Sequence, residues 1–483
     1  MPIAIVGLGP GDLRFLTLEA MDALRTARPL FLRTAWHPIV GQLPDDVDWQ
    51  PLDHLYEAHE TFDEVYDAIA ATVLAAAADG APVGYAVPGN PFVGEASVAR
   101  ILDLARQRGV PVRFVPGLSF ADASLAALGQ PVDNLQLVDA IAIPTLVPTV
   151  PALVYQVYDR LIASEVKLAL QRLYPDDHEV RLVRAAGVAG REEVARLPLA
   201  DLDRRDDFDH LTAVYVPPLH PEADVATMEG LRYLVARLRG PNGCPWDRQQ
   251  THASLVPFAI EEAYEVADAV DRGDMVALAD ELGDLLLQVV LHAQLADEEG
   301  HFDLTDVLRH ISTKLVRRHP HVFGDVRVSG ADEVLANWEA IKQAERGEDG
   351  EASPASVLDD VPKALPALLA AQEIQKRVAR VGFDWPDRAG VVAKVREELG
   401  ELLRARSQET RAQELGDVLF ALANLGLHLK VDAEEALRRA NHRFAERFRQ
   451  LEAVCRQRGV KPQDLSLDEL DAIWQEVKAR ARA

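Results

Sequence analysis

The chain has 483 residues, 48% of them hydrophobic and 27% charged, with 29 glycines and 29 prolines; at about 150 residues per domain this is material for three domains of ordinary globular composition, and it excludes a disordered or fibrous chain. Seventy-seven Asp and Glu against 51 Lys and Arg leave a net charge of −26, divided as −13 on each side of residue 220, and a field of that sign disfavours general nucleic-acid binding and binding to anionic membranes. Two cysteines, Cys244 and Cys455, exclude a disulfide framework, and with no signal peptide read at Met1–Gly7 and no apolar run of about 20 residues the expected location is the cytoplasm.

Residues 1–216 alternate short β-branched runs with Ala- and Leu-rich stretches, the pattern of an α/β domain. Strands are expected at Ile3–Val6, Pro29–Leu32, Val83–Val87, Val112–Val115, Val180–Val183 and Thr212–Val216. Three of them run into glycine turns: Gly7-Leu8-Gly9-Pro10-Gly11-Asp12, Pro88-Gly89-Asn90-Pro91 and Pro116-Gly117-Leu118-Ser119. The first turn departs from the dinucleotide fingerprint, because its third glycine comes too early and Pro10 fixes its shape. Glycine turns at the carboxyl ends of successive strands let backbone approach a ligand closely, so together they mark a crevice. Arg33 and His37, after the second strand, suit either an anionic ligand or plain loop positions, and the loop reading is the favoured one.

Pro217-Pro218, followed by Pro221, ends this part with a stiff linker. From Ala226 onward the pattern is helical only, and a polar stretch, Glu345–Ser353, splits it into halves. The expected domains are 1–220, 226–345 and 356–483.

The halves repeat. Glu261-Glu262-Ala263-Tyr264-Glu265 then Glu281-Leu282-Gly283-Asp284 matches Glu397-Glu398-Leu399-Gly400-Glu401 then Glu414-Leu415-Gly416-Asp417. Upstream, Gly243-Cys244-Pro245-Trp246-Asp247 echoes Gly382-Phe383-Asp384-Trp385-Pro386, so internal duplication is the natural explanation. Glu262 to Glu281 is 19 residues and Glu398 to Glu414 is 16, a difference expected to fall in the loop between the helices.

Residues three or four apart share a helix face, so Glu262 with Glu265, and Glu281 with Asp284, present paired carboxylates. Two antiparallel helices would bring the four together, and likewise Glu398, Glu401, Glu414 and Asp417. Four ionised carboxylates cannot share a water-poor site without a cation. All-oxygen ligands favour Mg²⁺, with Mn²⁺ as the alternative, over zinc. A di-iron centre is disfavoured, since the only Glu-x-x-His spacing, Glu298 to His301, is interrupted by Gly300. Magnesium held by carboxylates on one side usually takes substrate phosphates on the other, which points to attack of water on a phosphoryl group. Glu261 and Glu397, one residue off each face, suit a base or a supporting role. Acidic helices are commonly plain solvated faces. Here the acids precede the apolar run Leu285–Leu291, which predicts a largely buried helix, and the arrangement occurs twice.

Cations must offset the charge of a phosphoryl substrate beside these acids. Lys314, Arg317 and Arg318 form one basic cluster, and Lys376, Arg377, Arg380, Arg443 and Arg447 another. Trp246 and Trp385 stand at matching repeat positions, suited to stacking on a base or to core packing. His319 and His321 flank Pro320 and are expected as structural caps, because the triplet lacks the further ligands zinc requires.

On these motifs, together with Lys314–Phe323 and Asn441–Phe448, residues 226–483 resemble the MazG-type nucleoside triphosphate pyrophosphohydrolases. The resemblance implies Mg²⁺-dependent hydrolysis of a nucleoside triphosphate to monophosphate and pyrophosphate, in a scaffold that forms homodimers through the helical units. Both halves keep the acids, so the motif does not select the active one. The resemblance favours the C-terminal half, with Asn441, Arg443 and Arg447 as a phosphate grip, although the family often has lysine at the position of Arg443. The three glycine turns resemble, in order, those of the tetrapyrrole methylases. That likeness implies an S-adenosylmethionine site at Gly7, Gly9, Gly11, Asp12, Gly89 and Ser119. The usual Gly-Asp-Pro is Gly89-Asn90-Pro91 here, and the segment Phe31–Pro38 differs from that of members that methylate porphyrinoids.

The expectation is thus a multidomain chain, an α/β methylase-like domain followed by two all-α MazG-like units, that hydrolyses nucleoside triphosphates. Two alternatives remain: a methyltransferase whose helical part is a dimerisation scaffold, and a ligand-sensing N-terminal module that regulates the hydrolase. Base preference and the methyl acceptor are not legible.

Overall fold

The computed structural model describes residues 3–480 apart from residues 79, 332, 335–336, 339, 342–344, 346–355, 360 and 364. The chain divides into two compact units between Ile311 and Ser312.

The first elements in chain order are β1 (Ile3–Gly7), α1 (Leu18–Thr26), β2 (Leu30–Leu32), β3 (Gln50–Pro51), α2 (His54–Ala58), α3 (Phe62–Ala76), β4 (Val83–Val87), α4 (Ala96–Arg108) and β5 (Val112–Val115). The strands pair in the order β3-β2-β4-β1-β5, all parallel. Successive side chains serve opposite faces. Ile3, Ile5, Val83, Tyr85 and Val87 pack with Val65, Ile69 and Val73 of α3 and Ile101 of α4. Val6, Leu30, Leu32 and Ala86 pack on the other side with Ala20 and Leu24 of α1. The helices after β1 and β4 therefore lie on opposite faces, and the adjoining carboxyl ends of these two strands form a switch point, the place where sheets of this kind bind ligands.

A second sheet follows, with α5 (Phe120–Leu128), β6 (Gln136–Asp139), β7 (Ala152–Tyr155), α6 (Arg160–Leu170), β8 (Glu179–Arg184), β9 (Glu193–Pro198) and β10 (Thr212–Val216). Its order is β6-β7-β10-β8-β9, parallel between β6 and β7 and antiparallel elsewhere. α6 fills one face and α5 the other. The proline stretch is fastened rather than free: His178 Nε2 lies 2.9 Å from Pro217 O, the Leu219 amide donates to Pro148 O at 2.8 Å, and Asp224 is buried.

The elements that follow include α7 (Met228–Arg239), α8 (His252–Arg272), α9 (Met275–Glu298), α10 (Leu304–Arg318), α11 (Pro320–Phe323), α12 (Ala367–Arg380), α13 (Arg388–Arg404), α14 (Gln408–Leu429), α15 (Ala433–Gln457) and α16 (Leu467–Arg480). Among the described residues no strand follows Val216, as the sequence pattern predicts. The polar stretch Glu345–Ser353 lies, apart from Glu345, outside the described residues. No helix is long and apolar enough to cross a membrane among the described residues.

The acid-bearing helices are paired by capping chemistry. Thr251 starts α8 with a capping box to Ser254, Gly273 ends it in the left-handed region at φ +67°, and Asp274 caps α9. That short link folds α8 and α9 into an antiparallel hairpin. Asp387 caps α13 and Ser407 caps α14, forming the second hairpin. The 19-against-16 spacing does not lie in the loop, contrary to expectation. α8 continues to Arg272 beyond Glu265, whereas α13 stops at Arg404 beyond Glu401, and the second loop is the longer one. One helical turn has been removed and the carboxylates keep their facing positions.

The apolar run after Glu281 is also not largely buried. Leu286 and Val289 are exposed, as is Leu282, while Val290 and Leu291 enter a core with Val235 and Leu255. Among the described residues of the first unit, α7 and the start of α10 pack on the far end of the hairpin, and the apolar side chains nearer the acids are exposed.

Candidate functional site

Glu262 and Glu265 stand one turn apart on α8 and face Glu281 on α9, with carboxylate oxygens of all three within 4.8 Å of one another. Glu398 and Glu401 on α13 and Glu414 on α14 repeat the arrangement within the same distance. Burial, then repulsion from Asp284 and Glu265, pushes the Glu262 carboxyl above its ordinary range. Burial followed by Glu265, Asp280 and Asp284 does the same to Glu281, and burial followed by Glu401, Glu398 and Asp417 to Glu414. Asp284 and Asp417 therefore act on the clusters by repulsion, although they lie outside the tight groups of three. Oxygen-only donors that mutually raise their proton affinity fit a hard divalent cation.

The two clusters differ in one contact. Lys394, one turn before Glu398 on α13, places Nζ 2.6 Å from Glu398 Oε1 and 2.9 Å from Glu397 Oε1. Glu398 and then Glu397 hold this ammonium well above its ordinary value. Phe258 occupies the corresponding place on α8, with its ring against the edge of Trp246 at 5.9 Å. The sequence reading missed Lys394, although its spacing to Glu397 and Glu398 is the helical one that flags an ion pair.

The expected phosphate-binding cations are engaged to different degrees. Arg317 and Arg318 share one carboxylate, the buried Glu345, at 2.7 and 2.6 Å, so one of their two charges is offset, while Lys314 is exposed. Arg377 pairs with Glu373 at 3.1 Å. Lys376, Arg380, Asn441 and Arg443 are exposed and Arg447 is half-buried. Trp246 and Trp385 are both exposed, which rules out a core-packing role for either in the single chain. Their loops are anchored by polar contacts absent from the motif. Arg239 binds Glu298 through Nε and Nη2 at 2.9 and 2.8 Å, and Asp384 accepts from His428 Nε2 at 3.1 Å. His319 sits 2.7 Å from Leu315 O through Nδ1, a cap on the end of α10. Cys244 and Cys455 are free thiols.

In the α/β domain the three glycine turns meet. Gly9 and Gly89 exchange backbone hydrogen bonds at 3.1 and 2.8 Å. A Cβ on Gly7 would lie 2.5 Å from the Gly117 nitrogen, and one on Gly117 would lie 2.4 Å from Gly89 O, so only glycine permits the approach. Asn90 explains its own departure from Gly-Asp-Pro: Nδ2 donates to Gly117 O at 2.9 Å and Oδ1 accepts from the Phe92 amide at 2.9 Å. An ionised aspartate could not donate. Asp12 is buried and gripped by Arg14 at 3.0 and 3.1 Å, which holds its carboxyl below the usual range. Ser119 caps α5 through a reciprocal pair with Asp122. Gly11 lies against Pro38 and Val188. The backbone of the expected residues thus converges, while the side chains of Asp12 and Ser119 are occupied in holding the turns.

A parallel α/β domain whose three glycine turns meet at its switch point, continued by duplicated helical hairpins that each gather three carboxylates, defines a two-part protein. Residues 2–203 match the family described as Tetrapyrrole (Corrin/Porphyrin) Methylases, and residues 250–323 match the MazG nucleotide pyrophosphohydrolase domain. The chain is 43% identical to the uncharacterized protein YabN of Bacillus subtilis, across 99% of both chains. It is 48% identical to the nucleoside triphosphate pyrophosphohydrolase of Escherichia coli K12, across 52% of this chain and 97% of that one. The crystal structure of uroporphyrin-III-C-methyltransferase from Thermus thermophilus aligns with a TM-score of 0.37 at 21% identity, covering 45% of this chain and 94% of that one. The chain belongs to the family in which a tetrapyrrole methylase domain is fused to a MazG pyrophosphohydrolase region, and it is an enzyme, a hydrolase of the MazG type.

Proposed function

We propose that the protein hydrolyses nucleoside triphosphates to monophosphates and pyrophosphate with Mg²⁺, with Mn²⁺ as substitute, in nucleotide house-cleaning in the cytoplasm. The observation that carries this reading is the gathering of three carboxylates within 4.8 Å on each hairpin. Glu262, Glu265, Glu281 and Asp284 are the ligands of the first set and Glu398, Glu401, Glu414 and Asp417 those of the second. The bound ion would offset phosphate charge and activate water. Glu261 and Glu397, beside the ligands, accept the water's proton. Lys376, Arg380, Asn441, Arg443 and Arg447 hold the triphosphate, and Trp385 or Trp246 stacks on the base. The helical units (226–345 and 356–483) join two copies of the chain, whereas domain 1–220 binds S-adenosylmethionine along Gly7, Gly9, Gly11, Asp12, Gly89 and Ser119. The closeness of Gly7, Gly89 and Gly117 supports that site, because it gathers the three turns at the carboxyl ends of β1, β4 and β5. Methyl transfer as the main activity, or sensing of the ligand to regulate hydrolysis, remains the alternative for this domain.

Pyrophosphate release from a panel of nucleoside triphosphates with Mg²⁺ tests the reading. Glu398→Gln with Glu401→Gln is expected to lower it ~100-fold or more. No pyrophosphate from the intact chain on any nucleotide sinks the proposal. Release that survives this pair but is abolished by Glu262→Gln with Glu265→Gln transfers the activity to the first unit.

A further inference from the structure

Resting on the metal reading above, the geometry points to two carboxylate clusters that load metal by different rules: we propose that the Glu262 cluster takes a divalent cation in the free protein, whereas the Glu398 cluster is held closed by Lys394 until a triphosphate arrives.

The duplicated hairpins match in their acids and differ in what lies one turn before the central glutamate. In the second cluster that residue is Lys394, whose ammonium sits 2.6 Å from Glu398 Oε1 and 2.9 Å from Glu397 Oε1. Glu398 is the most enclosed of the ligands, with a side chain only 9% exposed. A cation entering there meets an ammonium already in contact with its best-shielded ligand, and like charges at such range repel strongly where water is scarce. The first cluster has Phe258 at the corresponding position, half-buried with its ring toward Trp246. The nearby basic group there, Arg272, is bonded to Asp268 at 3.3 Å rather than to a cluster ligand. The first cluster thus has the same acids with Arg272 acting on Glu281 only from a distance and, among the described residues, no ammonium in contact with a cluster carboxylate.

A triphosphate changes the balance at the second cluster. Its oxygens give Lys394 a competing anionic partner and give an incoming metal additional ligands. Release of the ammonium from Glu398 and entry of the metal then occur together, so metal and nucleotide bind the second cluster cooperatively. The first cluster keeps its ion whether or not nucleotide is present.

Mn²⁺ binding to the full chain, followed by the electron paramagnetic resonance signal of the free ion, separates the two. Without nucleotide, the tightest binding is expected to be lost in Glu262→Gln with Glu265→Gln and kept in Glu398→Gln. Lys394→Met and Lys394→Gln should each add binding without nucleotide, tightening the second cluster about tenfold or more. A non-hydrolysable triphosphate analogue should add it to the unaltered chain. If the unaltered chain fills both clusters equally without nucleotide, or if neither Lys394 variant adds Mn²⁺, the inference is overturned while the metal reading stands. If no Mn²⁺ binds with or without the analogue, the metal reading itself falls.

Discussion

His37 provides a sharp test of the α/β domain. Its ring is 5% exposed, and Nδ1 is enclosed with no hydrogen-bond partner among the described residues. Burial above all, then the neighbouring His210 and Arg33, pushes its pKa down from 6.5 to about 4. Between those values the unfolded chain binds a proton that the folded chain refuses, so stability falls as the pH falls through this window and is independent of this group above it. At about 1.36 kcal/mol per pH unit the full window is worth about 3 kcal/mol, and about 2 kcal/mol is lost by pH 5. His37→Leu has similar volume, carries no proton and leaves no enclosed lone pair. It should unfold with nearly the same midpoint as the unaltered chain at pH 7.5 and with a clearly higher one at pH 5, carboxylate titrations being common to both proteins. Calorimetric unfolding of the full chain at the two pH values measures the difference, and histidine-labelled NMR locates the missing resonance. Parallel pH profiles for the two proteins, or a His37 signal titrating near 6.5, would refute the reasoning.

Two further outcomes concern the crevice. Gly117→Ala places a methyl 2.4 Å from Gly89 O, which should cost about 1–3 kcal/mol of stability and weaken binding of S-adenosylhomocysteine in calorimetric titration; unaltered binding would separate these turns from the ligand. Asn90→Asp removes the donor to Gly117 O and sets a carboxylate against that carbonyl, at a cost of about 1–3 kcal/mol near neutrality that shrinks as the acid is protonated below pH 4. A loss that stays constant down to pH 3 in denaturant titrations would contradict that account.

The sequence pattern carried the six main strands and the helical remainder because those elements have strong periodicity. It missed four: β3, only two residues long, β6 and β7, each of four residues and too short to reveal a period, and the edge strand β9, where Glu193 and Arg196 break the apolar run. At the clusters, helix spacing was sufficient to pair Glu262 with Glu265 and Glu398 with Glu401, and duplication supplied the partners on the next helix. Arg239 and Glu298 anchor one tryptophan loop across 59 residues, a relation that local spacing cannot express. The pairing of Arg317 and Arg318 with Glu345 was hidden for the same reason: a basic run looks identical whether or not a carboxylate is bound to it.

The exposed apolar residues on the acidic hairpins bear on both proposals together. Ile260, Tyr264, Leu282, Leu286 and Val289 are exposed on the helices that carry the first cluster, and Leu399, Leu415 and Leu419 on those that carry the second. Apolar surface of this extent beside carboxylates is costly to leave in water and favours association. A second copy of the chain laid over it would also withdraw water from the acids, which already raise one another's proton affinity by burial and repulsion. Association alone would therefore be opposed by the charge it encloses, and cation binding alone would leave the apolar face open. Each change removes the obstacle to the other, so dimerisation through the helical units and metal loading are expected to reinforce one another. Lys394 supplies a positive charge to one cluster before any metal is present, so the charge opposing association is expected to be smaller at that hairpin than at the first.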